Sequence, residues 1–216
     1  MAVTDQQSDL AFIELRSDDP CDLFKDWHNE ANKFTKGSTN VTCLATLAEG
    51  NTPRARNLLL RKYNRDGFEF FTDSRGKKSL ELSNNSKAAM CIYWVYDSDK
   101  NERVSKQVRL EGRVELLPRD QVKEVYDAEP LYCKVRAHLC HQDTAVDWNE
   151  MKKRHDELLR QAKLDPEILS MPDHYIGYKL VPTWFDFYFS KDNFIADRIE
   201  FLKNDDGIWT NRRIAA

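Results

Sequence analysis

The chain has 216 residues, 41% hydrophobic and 32% charged, proportions that suit one soluble domain with a buried core. A formal net charge of -3 excludes the broad basic surface with which nucleic-acid binders neutralise phosphates, while leaving room for a local cationic site. No apolar run is long enough to span a bilayer, and five cysteines without a Cys-x-x-Cys pair read as reduced thiols, so the expected setting is the cytoplasm.

Residues 1–19 are polar and acidic and read as a flexible leader without the basic start of a signal peptide, ahead of a single domain over 20–216. Asp18-Asp19-Pro20 opens a helix over 20–35, in which Leu23, Phe24, Trp27, Ala31 and Phe34 recur at helical spacing. Strand signals follow at 41–47 and 55–63. Asn64-Arg65-Asp66-Gly67 turns the second of these into Phe68–Thr72 as a hairpin. A short helix near 77–83, a buried strand over 88–96 and a charged connection over 97–106 come next. Residues 108–116 then alternate strictly between apolar and polar. Two helices are expected at about 118–128 and 148–163, then strands around 175–181, 184–190, 196–203 and 208–214. The strands do not alternate regularly with helices. The fold class is therefore α+β, a small antiparallel barrel with helices outside.

Most signatures of chemistry are missing. There is no Gly-x-Gly-x-x-Gly, no phosphate loop ending in Gly-Lys-Ser or Gly-Lys-Thr, and no Gly-x-Ser-x-Gly elbow. His138 and His141 lack further ligands at metal spacing, so no metal site is expected. What stands out is a grouping of cations at strand ends: Arg56 opens one apolar strand, Arg61 and Lys62 close it, and Arg75, Lys77 and Lys78 follow the next. Guanidinium forks and lysine charges at fixed strand ends suit a phosphate, although such residues also serve simply as solubilising charge.

The wording of these segments is specific. Arg56-Asn57-Leu58-Leu59-Leu60-Arg61, followed by Asp66-Gly67-Phe68-Glu69-Phe70-Phe71-Thr72-Asp73, resembles the first FMN-binding block of the pyridoxamine 5'-phosphate oxidases. Gly76-Lys77-Lys78 is similar to that family's Ser-Arg-Lys turn, and Lys106-Gln107-Val108-Arg109-Leu110-Glu111-Gly112 to its Arg-Gln-Val-Arg-Val-Glu-Gly strand. His141-Gln142-Asp143 falls at its glutamine-serine pair, and Asp197-Arg198 at the end of its Arg-Leu-His-Asp-Arg motif. The resemblance implies an antiparallel split β-barrel and a homodimer, with FMN at the subunit interface. Arg56, Lys77 and Lys78 would hold the FMN phosphate, and Leu58 to Arg61 with Phe71 and Thr72 would line the flavin. Asn57 and Asp143 fall within the same matched blocks and are counted with the cofactor site. Gln107 and Gln142 would bond the flavin's polar edge, Tyr188 would stand for a family tryptophan, and Arg198 would reach in from the partner chain. Read without the resemblance, Leu58–Leu60 are core, Gln107 is a solvated strand residue, Arg198 pairs with Asp197 and Tyr188 packs.

The substrate half of the pattern breaks. Phe194 and Ala196 occupy the positions of the family's arginine and histidine, and Val125, Glu129 and Cys133 those of its phosphate-binding tyrosine, arginine and serine. A one-residue shift would recover Tyr126, and Lys134, Arg136 or His138 would be the replacements for the missing cation. The resemblance thus implies an FMN-dependent oxidase that converts pyridoxamine or pyridoxine 5'-phosphate to pyridoxal 5'-phosphate with oxygen, Arg61 meeting the substrate phosphate. Two other readings stand beside it: an FMN enzyme of the same family with a different, less phosphorylated substrate, and a flavin- or pyridoxal-phosphate-binding dimer without turnover.

Overall fold

Leu23, Phe24, Trp27 and Ala31 form the buried stripe of the first helix, α1 (Pro20–Phe34). Its start is fixed by Asp19, whose side chain accepts the Cys21 N–H, and by proline in the first turn, where no amide donor is lost. The computed structural model describes residues 8–216. Residues 1–7 of the expected leader lie outside this span. The rest of the leader is not loose. Ala11 donates to the Ile195 carbonyl, Ile195 donates back to Asp9, and Ile13 is buried with its N–H on Asp197 Oδ2 at 2.6 Å. An apolar residue at every second position, Ala11 and Ile13, draws this stretch onto the barrel.

Among the described residues nine strands form one antiparallel sheet: β1 (Val41–Ala48), β2 (Thr52–Leu59), β3 (Lys62–Asn64), β4 (Gly67–Asp73), β5 (Lys87–Asp97), β6 (Arg103–Leu116), β7 (Tyr175–Lys191), β8 (Asp197–Lys203) and β9 (Trp209–Arg213). The order is β2-β1-β5-β6-β7-β4-β3, with β8 on β7 and β9 on β8. The two ends of that path, β2 and β3, are consecutive in the chain. The link between them, Leu60-Arg61, hydrogen-bonds to both sides, Leu60 N–H to Asn40 O and Arg61 N–H to Glu69 O. This curls the sheet into a split barrel. It also corrects the expected hairpin: only Lys62–Asn64 pairs with β4, while β2 pairs along its length with β1.

The strands expected at 175–181 and 184–190 are one bent strand, β7, that pairs with β6 from Tyr178 to Lys191. The bend is a bulge opposite Glu111 and Gly112. A side chain on Gly112 would lie 2.0 Å from the Val181 carbonyl oxygen, so only glycine permits the approach. Inward residues of these strands meet α1 in an aromatic core: Phe24, Phe68, Phe70, Phe185, Phe187 and Phe201 are fully buried, with Phe24 edge-on to Phe68 at 4.9 Å. Each such ring contributes about 2–3 kcal/mol of burial free energy.

Outside the barrel lie α2 (Lys77–Asn84), α3 (Arg119–Asp127), α4 (Leu131–Leu139) and α5 (Trp148–Leu164). The sequence reading has no separate helix at α4. Pro130 stands at its N-cap without a side-chain acceptor, so the usual start signal is absent. No helix among the described residues is long and apolar enough to cross a membrane.

Candidate functional site

The closure at Leu60-Arg61 leaves a cavity of about 550 Å³ between the end of β2, β4, α2, α4 and the start of β7. Asn57, Leu58, Leu59 and Arg61 form one wall, Phe71 and Thr72 a second, and Lys78 and Gln142 the floor between them. These expected site residues, spread over more than eighty positions, are brought together by the fold. Leu60 is not among them: it is 3% exposed and points into the core, the consequence of strand alternation between Leu59 and Arg61. A separate cleft of about 470 Å³ over β1, β5 and β6 holds none of the expected residues.

Lys78 is the polar centre of the cavity. Its Nζ donates to Thr72 Oγ1 at 2.9 Å and to Gln142 Oε1 at 2.5 Å. Burial pushes its pKa down, the nearby Arg56 charge adds to that, and Asp143 opposes it. The loop carrying Gln142 presses so closely on the turn before α2 that a Cβ on Gly76 would lie 2.7 Å from Gln142 Oε1. Asp143, at φ 66°, accepts the Lys77 backbone N–H at 2.7 Å and so caps α2, whose own N-cap Gly76 has no side chain. Arg56 lies outside the cavity lining. Its guanidinium bonds Thr46 and the buried Glu81, the latter at 2.7 Å. Burial alone would raise the Glu81 pKa, but hydrogen bonds from Thr46 and Arg56 and the charges of Arg56 and Arg54 outweigh it and hold it low.

Two of the altered residues, Glu129 and Cys133, also line the cavity. Glu129 is buried between α3 and α4 and lies 2.8 Å from Arg61 Nη2 through Oε1. Tyr175 donates its hydroxyl to the same oxygen at 3.1 Å, and burial next to that carboxylate raises the tyrosine's pKa. Oε2 of Glu129 is buried with no hydrogen-bond partner. Cys133 and Arg136 of α4 share this wall, together with His174, whose Nε2 donates to the Ala137 carbonyl. Val125 does not reach the cavity, and Tyr126 is buried behind it with its hydroxyl on Leu169 O. Lys134 and His138 are turned to the carbonyls of Asp127 and Ser170. Of the three replacement cations named from sequence, Arg136 alone lines the cavity.

Gln107, Tyr188 and Arg198 are elsewhere. They form a cross-strand row on the outer face of β6, β7 and β8, where Gln107 pairs with Tyr188 and Tyr188 with Arg198. Arg198 does not use its neighbour Asp197, which takes only its backbone N–H. Its guanidinium is held by Asp186 at 2.6 Å, and Asp186 also takes Arg109 at 2.7 Å. Sequence reasoning passes over Asp186, Tyr175 and His174. The signal for Asp186 is there, a single carboxylate in the aromatic run Trp184–Phe189. Phe194 and Ala196 follow β7, with Lys191 Nζ 5.0 Å from the centre of the Phe194 ring, and neither lines this cavity. Among the described residues no cluster of His, Cys, Asp or Glu is arranged to hold a metal ion.

Comparison with known proteins agrees with this architecture. The family model described as pyridoxamine 5'-phosphate oxidase matches residues 28–161, and that of the pyridoxine 5'-phosphate oxidase C-terminal dimerisation region matches 175–216. A pyridoxine/pyridoxamine 5'-phosphate oxidase of Pelagibacter ubique is 30% identical over 191 residues, 88% of each chain. The pyridoxine-5'-phosphate oxidase of Bos taurus is 31% identical over 88% of this chain and 70% of its own. In fold, the chain is similar to PhzG from Burkholderia lata 383, solved with tetrahydrophenazine-1-carboxylic acid, at a TM-score of 0.82 and 18% identity, covering 96% and 99% of the two chains. It is also similar to a pyridoxamine 5'-phosphate oxidase-related, FMN-binding protein of Nostoc punctiforme, at a TM-score of 0.70 and 14% identity over 90% and 96%.

Proposed function

Because the chain belongs to the pyridoxamine 5'-phosphate oxidase family, we propose that it is an FMN-dependent oxidoreductase acting on an amine or alcohol of the vitamin B6 type. The observation that carries the FMN reading is the Lys78–Thr72–Gln142 cluster at the foot of an apolar wall. The donor set fits the cofactor. A desolvated ammonium beside the Arg56 charge suits the phosphate, the amide of Gln142 suits a polar ring edge, and Leu58 and Phe71 give the ring an apolar surface. When bound, FMN supplies the hydride acceptor and its reoxidation by oxygen. The chain's own residues bind, orient and exclude water.

One chain holds only part of the expected set, since Gln107, Tyr188 and Arg198 lie on another face. A homodimer in which a second copy brings that face to this cavity unites them. The C-terminal dimerisation region, which spans β7 to β9, supports that arrangement.

The names of the relatives favour pyridoxamine or pyridoxine 5'-phosphate as substrate, giving pyridoxal 5'-phosphate. A second reading, a different substrate on the same scaffold, is favoured by the Glu129–Arg61 pair, which occupies the cation that would meet the phosphate. Anaerobic mixing of the yellow protein with phosphorylated and unphosphorylated B6 vitamers tests both. Bleaching of the flavin by either class supports the oxidoreductase. Flavin that is retained but bleached by neither leaves a binding protein without turnover, and protein without flavin overturns the reading.

A further inference from the structure

Arg61 and Glu129 both line the cavity and face each other at 2.8 Å. The Glu129 side chain is 4% exposed, and both of its partners, Arg61 and Tyr175, use Oε1. Oε2 is left buried and bare. A buried acceptor without a donor is costly, and a ligand that supplies the donor recovers that cost.

The charges of the pair restrict what the ligand can be. A phosphate dianion brought to Arg61 either displaces Glu129 from its ion pair or sits against its carboxylate, and both are unfavourable in a desolvated pocket. An ammonium meets the mirror-image problem with Arg61. A hydroxyl meets neither: its proton satisfies Oε2 of Glu129 while its oxygen accepts from the Arg61 guanidinium. Cys133 adds no charge-assisted donor, and Arg136, the cation of α4 on the same wall, is the group an anion would have to use in place of Arg61. We infer that this part of the cavity selects an uncharged hydroxyl-bearing substrate, a ring with a free hydroxymethyl arm rather than its phosphate ester. This rests on the reading of the cavity as the substrate half of an FMN site.

The test is calorimetric titration of the full-length, flavin-loaded protein with pyridoxine and with pyridoxine 5'-phosphate. Retention of FMN is scored by absorbance in the same samples, so loss of the flavin reading is seen separately from loss of the substrate reading. The expected result is tighter binding of pyridoxine by about tenfold or more. Glu129→Arg, which restores a cation, is expected to reverse the preference. Glu129→Gln, which keeps the shape, is expected to narrow it, and covers the case in which the arginine variant fails to fold. Tighter binding of the phosphate ester by the unaltered protein overturns the inference, and loss of that binding in Arg136→Ala would name the residue responsible. Binding of neither ligand by protein that retains FMN also overturns it, while leaving the flavin reading in place.

Discussion

Asp186 has no solvent exposure, and the oxygen atoms of its carboxylate are shared between Arg198 at 2.6 Å and Arg109 at 2.7 Å. Three strands are tied by one buried anion, since Arg109 lies on β6, Asp186 on β7 and Arg198 on β8. Replacing it by alanine leaves two guanidinium groups without a counter-charge. Both side chains retain some solvent, 41% and 27%, so they recover part of their hydration. The expected loss for Asp186→Ala is about 2 kcal/mol, below the range for fully buried pairs, and is measured as a fall in the urea midpoint at unchanged slope.

Among the glycines, Gly112 makes the tightest approach to a neighbouring backbone. A Cβ there would sit 2.0 Å from Val181 O and 2.9 Å from Pro182 Cα, and both are backbone atoms in the paired strand that cannot swing aside. Gly112→Ala must open the bulge between β6 and β7. The expected cost is about 3 kcal/mol or failure to accumulate as soluble protein, whereas Gly37→Ala, with nothing within 4 Å of its Cβ, is expected to be nearly neutral. Thermal unfolding of the two variants side by side checks the contrast.

Much of this was legible in the sequence because it rests on local periodicity. α1 shows its buried stripe in the spacing of Leu23, Phe24, Trp27 and Ala31, and β6 its alternation from Val108 to Leu116. Of the cations at the strand ends, Arg61 and Lys78 line the cavity, while Arg56, Lys62, Arg75 and Lys77 do not. What could not be read depends on long-range partners. Arg56 looks like a phosphate ligand from its position, yet its guanidinium is taken by Glu81, twenty-five residues on. Leu60 matches the cofactor block as well as Leu59 does, yet the alternation that exposes Leu59 and Arg61 turns it into the core. Glu129 is visible as a departure from the family pattern. Its choice of Arg61 is set by how α3 and α4 fold back over the barrel, which no spacing rule encodes.

Stability is expected to fall in acid through Glu81. Its hydrogen bonds with Thr46 and Arg56 hold its folded pKa below the ordinary 4.5. A depressed carboxylate stabilises the folded state fully above the unfolded value, and that contribution disappears as pH falls through the folded one. The decline should therefore begin just below 4.5. Glu81→Gln is expected to be less stable at neutral pH yet to show a flatter profile below that point. Denaturation midpoints across the acid range decide it, and an unchanged slope in the variant would remove Glu81 as the cause.

The flavin site offers a direct variant in Lys78. Its ammonium bonds both Thr72 and Gln142 inside the cavity. Lys78→Met keeps most of the side-chain length and removes the charge. FMN affinity should fall by about tenfold to a hundredfold, the range for one charge-assisted hydrogen bond, with little change in the thermal midpoint of the flavin-free protein. Equilibrium titration with free FMN, followed by quenching of its fluorescence, gives the number.

The arrangement proposed for the dimer predicts complementation between damaged chains. Lys78 belongs to the cavity, and Gln107 and Tyr188 belong to the outer row, so in a symmetric dimer each site takes one set from each copy. Lys78→Met in one chain and the pair Gln107→Ala and Tyr188→Ala in the other should each impair FMN binding as homodimers. When the two are co-expressed and mix at random, about half of the dimers are mixed, and each mixed dimer has one site with both sets intact and one with both damaged. About a quarter of all sites should then bind FMN at full affinity, read as a tight phase in the titration that neither parent shows. If cavity and row instead served the same site within one chain, no such phase would form at any mixing ratio, because every site would carry one of the two lesions.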